Sequence, residues 1–416
     1  MRVLILTIWY PNDENPILGT FVHEQADALR SKGIEIKVVQ PIPSTPFPLP
    51  LFKQSYKQLS LIPEREQYDG FEVYHPRYVT LPNHLFFERV GAWMYAAIRE
   101  QILKIYNEWP FDIIHAHTTY PCGYAANLIR DRDLPLIKVI HTIHRTCIID
   151  APNYNRKCFE KVRLALEGAD SDVFVSLEGK GLALTYTEGR CRAKSEYITN
   201  GVNTEKFQLS DTERTEVEKM KIQHKDTWNL LFVGYLTEIK GIKELLAAIA
   251  NLVRQGRTQI RLYLVGRNNL GNYISDFLKA EGLSNIVILI GPVIHSRVKI
   301  WMKFADAFIL PSHSEGLPTV LFEALYAGTP SIFTRVGGVG DIVTDGCEAL
   351  VIEPKSISAI EDSIKLLMDA PELGKTISKR GHELIRDNFT WQINATHHLD
   401  LYKRIVTHQS DQSILQ

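Results

Sequence analysis

The amino-acid sequence predicts an α/β protein with two domains in tandem, and three observations lead to this fold class. Short runs rich in β-branched residues alternate with helical patterns along nearly all of the 416 residues, which is typical of βαβ units and parallel sheets. The alternation stops at a charged stretch, residues 209–226, and then begins again. A chain of this length is also expected to form two to three domains, at roughly 150 residues each.

The first half opens with a predicted strand at residues 3–8 and a predicted helix at residues 20–32. The helix follows from the spacing of Val22, Ala26 and Leu29, which share one helical face. The remaining predicted strands of this half lie at residues 36–39, 113–116, 137–141, 173–177 and 196–199.

The second half repeats this opening, with a strand at residues 230–233 and an amphipathic helix at residues 242–255 that Gly256 ends. Because both halves begin with a strand, a glycine-containing loop and a helix, each is predicted to be a Rossmann-like domain. The ligand of such a domain lies at the C-terminal ends of its strands. The other predicted strands are at residues 262–265, 286–290, 307–310 and 331–334.

The charged stretch is the predicted domain junction, which gives an N-terminal domain at residues 1–208 and a C-terminal domain at residues 209–388. An exposed helix within one domain is the alternative interpretation of this stretch. The final segment, residues 389–416, is predicted to be a helix that packs back on the first domain. Its apolar side consists of Trp391, Ala395, Leu399 and Tyr402.

Composition excludes several classes of protein. The 47 Lys and Arg residues are balanced by 48 Asp and Glu residues, so a dedicated nucleic-acid binder is not expected. The five Cys residues form no C-x-x-C pair and are interpreted as free thiols of a reducing compartment. The apolar run at the N-terminus is too short for a signal peptide, and no apolar stretch approaches the roughly 20 residues of a membrane span. We therefore expect a cytoplasmic protein.

The most informative stretch is PSHSEGLPTVLFEALYAGTP, residues 311–330. Pro318 occupies a position that favours a helix start. The N–H groups of Thr319, Val320 and Leu321 would then be open at the helix N-terminus and form an anion site for a phosphate.

Two acidic residues of this stretch are candidate ligand-binding groups. Glu315 lies in the loop before the predicted helix, and Glu323 lies one to two turns into it. Carboxylates so placed could bind hydroxyl-rich groups on either side of a diphosphate. The alternative is an ordinary acid at a helix N-terminus together with a solvated Glu.

Lys240 is a candidate partner for the same anion. It follows Gly234, which ends a predicted strand, and it stands at the start of the next helix. A cation there opposes the helix dipole, so a bound anion would explain the placement. A solvated surface Lys is the alternative interpretation.

Four histidines follow two of the predicted strands: His115, His117, His141 and His144. A metal site is one interpretation of the H-x-H spacing. No carboxylate or Cys ligand is obvious nearby, which favours polar contacts to a sugar or purely structural histidines. Gly19, just before the first helix, would let a ligand approach the backbone closely.

Together these residues resemble the retaining glycosyltransferases of family 4, which have the GT-B fold, and the resemblance covers nearly the whole chain. Its most specific part is the E-x7-E element from Glu315 to Glu323. The segments VG…KG around Lys240, HAH at 115–117, NGVN at 200–203 and RVGGVGD at 335–341 are also similar.

The resemblance implies two Rossmann-like domains whose parallel sheets face each other across a cleft, and a nucleotide-sugar donor as a substrate. It implies that Glu315, Lys240 and His117 are catalytic, that Glu323 holds the ribose, and that Gly19 approaches the diphosphate. Further donor contacts implied are Gly234, Arg267, Val293, Gly316, Leu317, Pro318, Thr319 and Val320.

Three departures from the family pattern stand out. Tyr235 stands where the family usually has an Arg that forms a second diphosphate clamp. Arg145 stands where the family usually has a Gly, and Asp341 stands where a Glu is common. Rival hypotheses are a sugar-nucleotide epimerase of the same fold and a non-catalytic sugar-nucleotide binder.

The mechanism implied needs no metal and no cofactor. The D-x-D candidates at 131–133 and 170–172 do not sit in a loop after a strand. The acceptor is expected to be a carbohydrate or a lipid-linked molecule of a bacterial cell-surface polysaccharide pathway. Residues 41–82 are expected to form acceptor-side loops, and residues 85–93 either contact a membrane surface or pack into the domain core.

Overall fold

A computed structural model of the protein describes residues 1–12, 14–15, 18–44 and 59–413. The chain divides into two compact units, one formed by Met1–Thr199 with Trp391–Gln416 and the other by Asn200–Thr390. The charged stretch folds as a helix, Asp211–Gln223, within the second unit. Part of the loop region expected to face an acceptor, residues 45–58, lies outside the described residues.

In the first unit, eight of the described strands form one sheet in the order β10-β9-β8-β7-β1-β2-β5-β4. Every pair is parallel except β4 with β5. The central strand is apolar on both sides because helices cover both faces of a parallel sheet. The strands are β1 (Arg2–Thr7), β2 (Glu35–Val39), β3 (Ile42–Ser44), β4 (Arg65–Tyr68), β5 (Phe71–Tyr74), β6 (Arg77–Val79), β7 (Ile113–His117), β8 (Lys138–Ile143), β9 (Ser171–Phe174) and β10 (Ser195–Tyr197), with β3 and β6 paired separately.

The helices of the first unit are α1 (Thr20–Ser31), α2 (Phe87–Glu108), α3 (Tyr124–Arg132), α4 (Arg156–Gly168) and α5 (Leu177–Tyr186). The strand predicted at residues 173–177 ends earlier, because the Ser176 side chain accepts a hydrogen bond from the Gly179 N–H and starts α5. The C-terminal helix, Trp391–Ser413, buries Trp391 and Tyr402 in the same apolar cluster as Val22 of α1.

The second unit contains a sheet of six described strands, all parallel, in the order β13-β12-β11-β14-β15-β16. The chain adds strands on one side of β11 and then returns to add the rest on the other side. The ends of β11 and β14 therefore form the topological switch point, where ligands bind in such sheets. The strands are β11 (Trp228–Val233), β12 (Ile260–Val265), β13 (Val287–Gly291), β14 (Ala307–Leu310), β15 (Ser331–Thr334) and β16 (Leu350–Ile352).

The predicted amphipathic helix of this unit is confirmed, and it buries Leu245, Leu246 and Ile249 completely. In the described part of the chain, no helix is both long enough and apolar enough to cross a bilayer. The helices of the unit are α6 (Asp211–Gln223), α7 (Ile242–Arg254), α8 (Tyr273–Ala280), α9 (His295–Phe304), α10 (Thr319–Tyr326), α11 (Val339–Ile342), α12 (Ile357–Asp369) and α13 (Pro371–Asn388).

Replacing Ile249 by Ala is expected to lower the free energy of unfolding by about 2–5 kcal/mol, because it leaves a cavity under α7. Urea denaturation of the full chain measures this change. Ile222→Ala is the matched control, since Ile222 of α6 is 71% exposed and its loss should cost less than about 0.5 kcal/mol. Equal losses in the two variants would contradict the packing described for α7.

Candidate active site

The turn after β11 brings Lys240 to the loop after β14. Gly234 directly follows the strand, and a short 3-10 turn covers Glu238–Lys240. Gly241, with a φ of 70°, is the residue before α7. A Cβ atom on Gly241 would lie only 2.0 Å from the carbonyl oxygen of Pro311. Glycine is therefore required at position 241 for two reasons, the positive backbone angle φ and the close approach of the loop after β14.

Lys240 and Glu315 form an ion pair, which spacing along the chain did not predict. The Lys240 ammonium donates to Glu315 Oε1 at 2.6 Å, and Ser312 Oγ donates to the same oxygen at 2.6 Å. The Glu315 side chain is 10% exposed and that of Lys240 is 24% exposed. Lys240 precedes α7, which begins at Ile242 as predicted, and its charge is neutralised by the Glu315 carboxylate.

The loop at Glu315 is held from the side by a glycine turn. Gly338 donates its N–H to the carbonyl of Gly316 at 2.7 Å. Gly337 has a φ of 54°, and a Cβ there would lie 2.3 Å from the carbonyl oxygen of Glu315. The glycines of the RVGGVGD segment are thus explained by packing, because they let its backbone lie against this loop.

A second polar side chain reaches the same loop from the start of the second unit. Asn200 Nδ2 donates to the carbonyl of Leu317 at 3.4 Å, and Asn200 itself is buried. The NGVN segment was noted in the sequence only as a resemblance. In the fold, its first residue supports the loop that leads into α10.

The N-terminus of α10 differs slightly from the prediction. Pro318 is the residue before the helix and supplies no side-chain cap. The Leu321 N–H donates to the carbonyl of Pro318 at 3.1 Å, so this group is not open as expected. The N–H groups of Thr319 and Val320 have no acceptor among the described residues, so they are the groups of the helix start that stay open to an anion.

Glu323 is paired with a histidine that the sequence analysis missed. Its Oε1 lies 2.7 Å from Nε2 of His295, the first residue of α9. Glu323 is 8% exposed, whereas the His295 side chain is 38% exposed. The signal that could have found His295 is its place directly after a strand and its connecting loop, where polar groups face a ligand.

The remaining predicted donor contacts of this unit follow adjacent strands. Gly234, Arg267 and Val293 come after β11, β12 and β13, respectively. The carbonyl of Arg267 accepts from the Leu236 N–H at 2.9 Å, while its side chain is exposed. Tyr235 is also exposed, at 42%, and brings no charge to the place where the family has an Arg.

In the first unit, Gly19 has a structural role of its own. It precedes α1 with a φ of 64°, and a Cβ there would lie 2.3 Å from the carbonyl oxygen of Trp9. The tight packing of the two backbone segments requires glycine irrespective of any ligand.

The expectation that all four histidines lie at strand ends is wrong for two of them. His115 lies within β7, fully buried, with Nδ1 bonded to Tyr402 at 2.6 Å and Nε2 to Thr142 at 2.7 Å. His141 lies within β8, 3.5 Å from the carboxylate of Asp172, and both are fully buried. A carboxylate thus does lie near one histidine, because β9 continues through Asp172 and places it beside β8.

His117 is placed differently, at the end of β7. Its Nδ1 is bonded to His144 Nε2 at 3.3 Å, and its own Nε2 has no hydrogen-bond partner within the described residues. Burial, and secondarily the neighbouring His115, hold the pKa of His117 well below its usual range. Burial also lowers the pKa of His144 to about 4. Both rings are therefore neutral at pH 7, and His117 offers an uncharged nitrogen.

Across residues 1–12, 14–15, 18–44 and 59–413, no group of three or more His, Cys, Asp or Glu side chains is placed to hold an ion.

Two family models match consecutive parts of the chain. Residues 18–206 match the model described as Glycosyltransferase Family 4, and residues 214–384 match the one described as Glycosyl transferases group 1. The chain is a family 4 glycosyltransferase. Its relatives include a Bacillus subtilis (strain 168) protein described as the teichuronic acid biosynthesis glycosyltransferase TuaC, 29% identical over 88% of each chain.

Solved structures agree with this assignment at the level of the fold. Sucrose-phosphate synthase from Thermosynechococcus elongatus has a TM-score of 0.76 at 18% identity and covers 98% of this chain and 100% of its own. Anabaena Alr3699/HepE, solved with UDP-glucose, has a TM-score of 0.69 at 16% identity and covers 99% and 100%. The glycosyltransferase described here thus has the GT-B fold.

Gly337→Ala should destabilise this glycosyltransferase by about 1–3 kcal/mol from backbone strain alone and should also lower its activity by displacing Glu315. A thermal melt and a turnover assay of the same preparation measure both effects. Gly340→Ala is the matched control, because an added Cβ there has no heavy atom within 4 Å. If Gly337→Ala has the same melting temperature and turnover as Gly340→Ala, the conclusion that this turn supports the Glu315 loop is wrong.

Proposed function

We propose that this glycosyltransferase moves a sugar from a nucleoside-diphosphate sugar to a hydroxyl group of a carbohydrate or lipid-linked acceptor, with retention of anomeric configuration. The observation that carries the proposal is the Lys240–Glu315 pair beside the open N–H groups of α10. A cation and a helix start suit a diphosphate, and a carboxylate suits sugar hydroxyls. The UDP-glucose complex of HepE supports the same class of donor.

When the donor binds, Lys240 and Glu315 would each contact a different part of it. The diphosphate would accept hydrogen bonds from the Lys240 ammonium and from the N–H groups of Thr319 and Val320. The Glu315 carboxylate would then accept hydrogen bonds from hydroxyls of the donor sugar, within reach of the ammonium. The arrangement is preformed, since Ser312 and the glycine turn already hold the carboxylate in place.

The nucleoside end of the donor is assigned to Glu323. Its carboxylate would accept hydrogen bonds from the two ribose hydroxyls, as the resemblance implies. Arg267 and Val293, which follow the neighbouring strands β12 and β13, would border the base.

The chemical step needs stabilisation of the leaving diphosphate more than it needs a base. Lys240 and the two open N–H groups would supply this stabilisation as the glycosidic bond breaks. The departing phosphate oxygen would accept the proton of the attacking hydroxyl on the same face of the sugar, which gives retention without a nucleophile of the protein. No metal or cofactor is required by this step, and the nucleotide sugar is a substrate.

His117 is proposed as a contact of the donor sugar. Because its ring is buried and neutral, it can exchange a hydrogen bond with a hydroxyl without bringing a charge. Gly19 is proposed, by the resemblance alone, to lie near the diphosphate.

The acceptor is proposed to belong to a cell-surface polysaccharide pathway, which the likeness to TuaC supports. A peripheral contact with the inner face of the membrane is part of this proposal. In the segment 85–93, Val90 is buried and Phe87 and Trp93 pack against the core. Leu85 and Phe86, at 54% and 45% exposure, are therefore the residues of this segment left to contact lipid.

Lys240→Ala is expected to lower nucleoside-diphosphate release by about 10²–10³-fold with the best donor, because it removes a group that stabilises the leaving diphosphate. Glu323→Ala is expected to weaken donor binding by about tenfold or more, because the hydrogen bonds of its carboxylate to the ribose are lost. The assay compares UDP-, GDP- and ADP-sugars with and without candidate acceptors. Lys279→Ala is the control, since Lys279 is an exposed residue of α8. Full activity in both site variants would contradict the donor site, and an isomerised donor without transfer would indicate an epimerase.

Retention is tested on the product itself. We expect the anomeric proton of the transferred sugar to show, by NMR, the configuration that it had in the donor. An inverted product would contradict the front-face mechanism. A glycosyl group trapped covalently on Glu315 would contradict the absence of a protein nucleophile.

A further inference from the structure

A cavity of about 540 Å³ lies in the second unit at the end of the sheet opposite to the candidate active site. Its walls include Trp228, the first residue of β11, and Asp306 and Pro330, which directly precede β14 and β15. The C-terminal end of α10, at Ala327 and Gly328, also lines it. The eight residues of α10 span about 12 Å, so this cavity is separate from the anion-binding start of the same helix.

The cavity contains a half-buried ammonium group without a carboxylate partner. Lys303 donates from Nζ to the carbonyl of Ala327, at the C-terminal end of α10, at 2.6 Å, and no carboxylate among the described residues pairs with it. Burial, and then the nearby Lys221, lower the pKa of Lys303. In the described part of the chain, neither Lys303 nor Lys221 forms an ion pair. The half-buried Lys303 and the exposed Lys221 both line the cavity, and an anion bound there would offset the repulsion between their charges.

The acidic residue of the cavity does not remove this charge. Asp306 accepts hydrogen bonds at Oδ2 from the backbone N–H of Asn229 at 2.7 Å and from its side-chain amide at 3.1 Å. A third cation at the rim, Lys375, is already paired with Glu372 at 2.7 Å.

The remaining walls of the cavity suit the organic part of an anionic ligand. Trp228, Pro330 and Met368, which are partly exposed, provide apolar and aromatic surface, and the volume is in the range of about 300–1,000 Å³ that small-molecule sites occupy. A phosphomonoester carries a charge of nearly −2 at pH 7, which matches the two unpaired lysines. Lysine is also a common point-charge ligand of phosphate.

We propose that this cavity is a second ligand site, in which Lys221 and Lys303 bind the phosphate of a small phosphomonoester and the apolar walls contact its organic part. The site is distinct from the donor site, and it stands whether or not the proposed sugar transfer is correct.

The test is isothermal titration of the full chain with glucose 6-phosphate and, separately, with inorganic phosphate. Every protein carries Lys240→Ala, so that phosphate binding at the start of α10 is weakened. Glucose 6-phosphate is expected to bind this background protein and a Lys279→Met derivative equally. Lys221→Met and Lys303→Met should each weaken binding about tenfold or more, the usual effect of removing one charge-assisted hydrogen bond.

Each other outcome overturns the proposal. Absence of glucose 6-phosphate binding to the background protein, or binding that Lys221→Met leaves unchanged, contradicts the site. Binding of inorganic phosphate alone contradicts the role of the apolar walls. If Lys303→Met fails to fold because it loses the bond to Ala327, the variant at the exposed Lys221 decides the matter. Donor release by a Lys221→Met chain with native Lys240 reports separately on the proposed function.

Discussion

The ion pair between Lys240 and Glu315 joins the two loops that follow β11 and β14, and the candidate active site depends on this contact. Two glycines make it sterically feasible, Gly241 against Pro311 and Gly337 against the carbonyl of Glu315. Ser312 fixes the carboxylate from its own loop. A half-buried pair of opposite charges is tolerated because each charge offsets the desolvation of the other, and the same two charges suit a ligand that carries both phosphates and hydroxyls.

The first unit presents its polar groups in a different way. His398, His115, His117 and His144 stack in a row with ring centroids 5.4, 4.8 and 5.6 Å apart. Burial depresses the pKa of all four, so the row is neutral and adjacent rings do not repel one another. Tyr402 of the C-terminal helix bonds to His115, and in this way the last segment of the chain helps to orient the strand that ends at His117.

Most of the fold could be predicted because its signals are local. The strand and helix of each half follow from periodicity over a few residues, and their observed bounds differ from the predictions by one or a few positions. The errors have a local cause that periodicity does not detect. Ser176 ends one predicted strand early by capping a helix, and Pro318 precedes α10 instead of opening it.

The sequence by itself determined the α/β class, the repeated Rossmann-like opening, and the E-x7-E element with an acid on either side of a helix start. These features depend on neighbours in the chain. Only the tertiary structure decided that Lys240 meets Glu315, 75 residues away, that His295 meets Glu323, and that His141 lies beside Asp172. The physical reason is strand order: β11 and β14 are adjacent in the sheet although two strands separate them in the chain, and no short-range spacing encodes that adjacency.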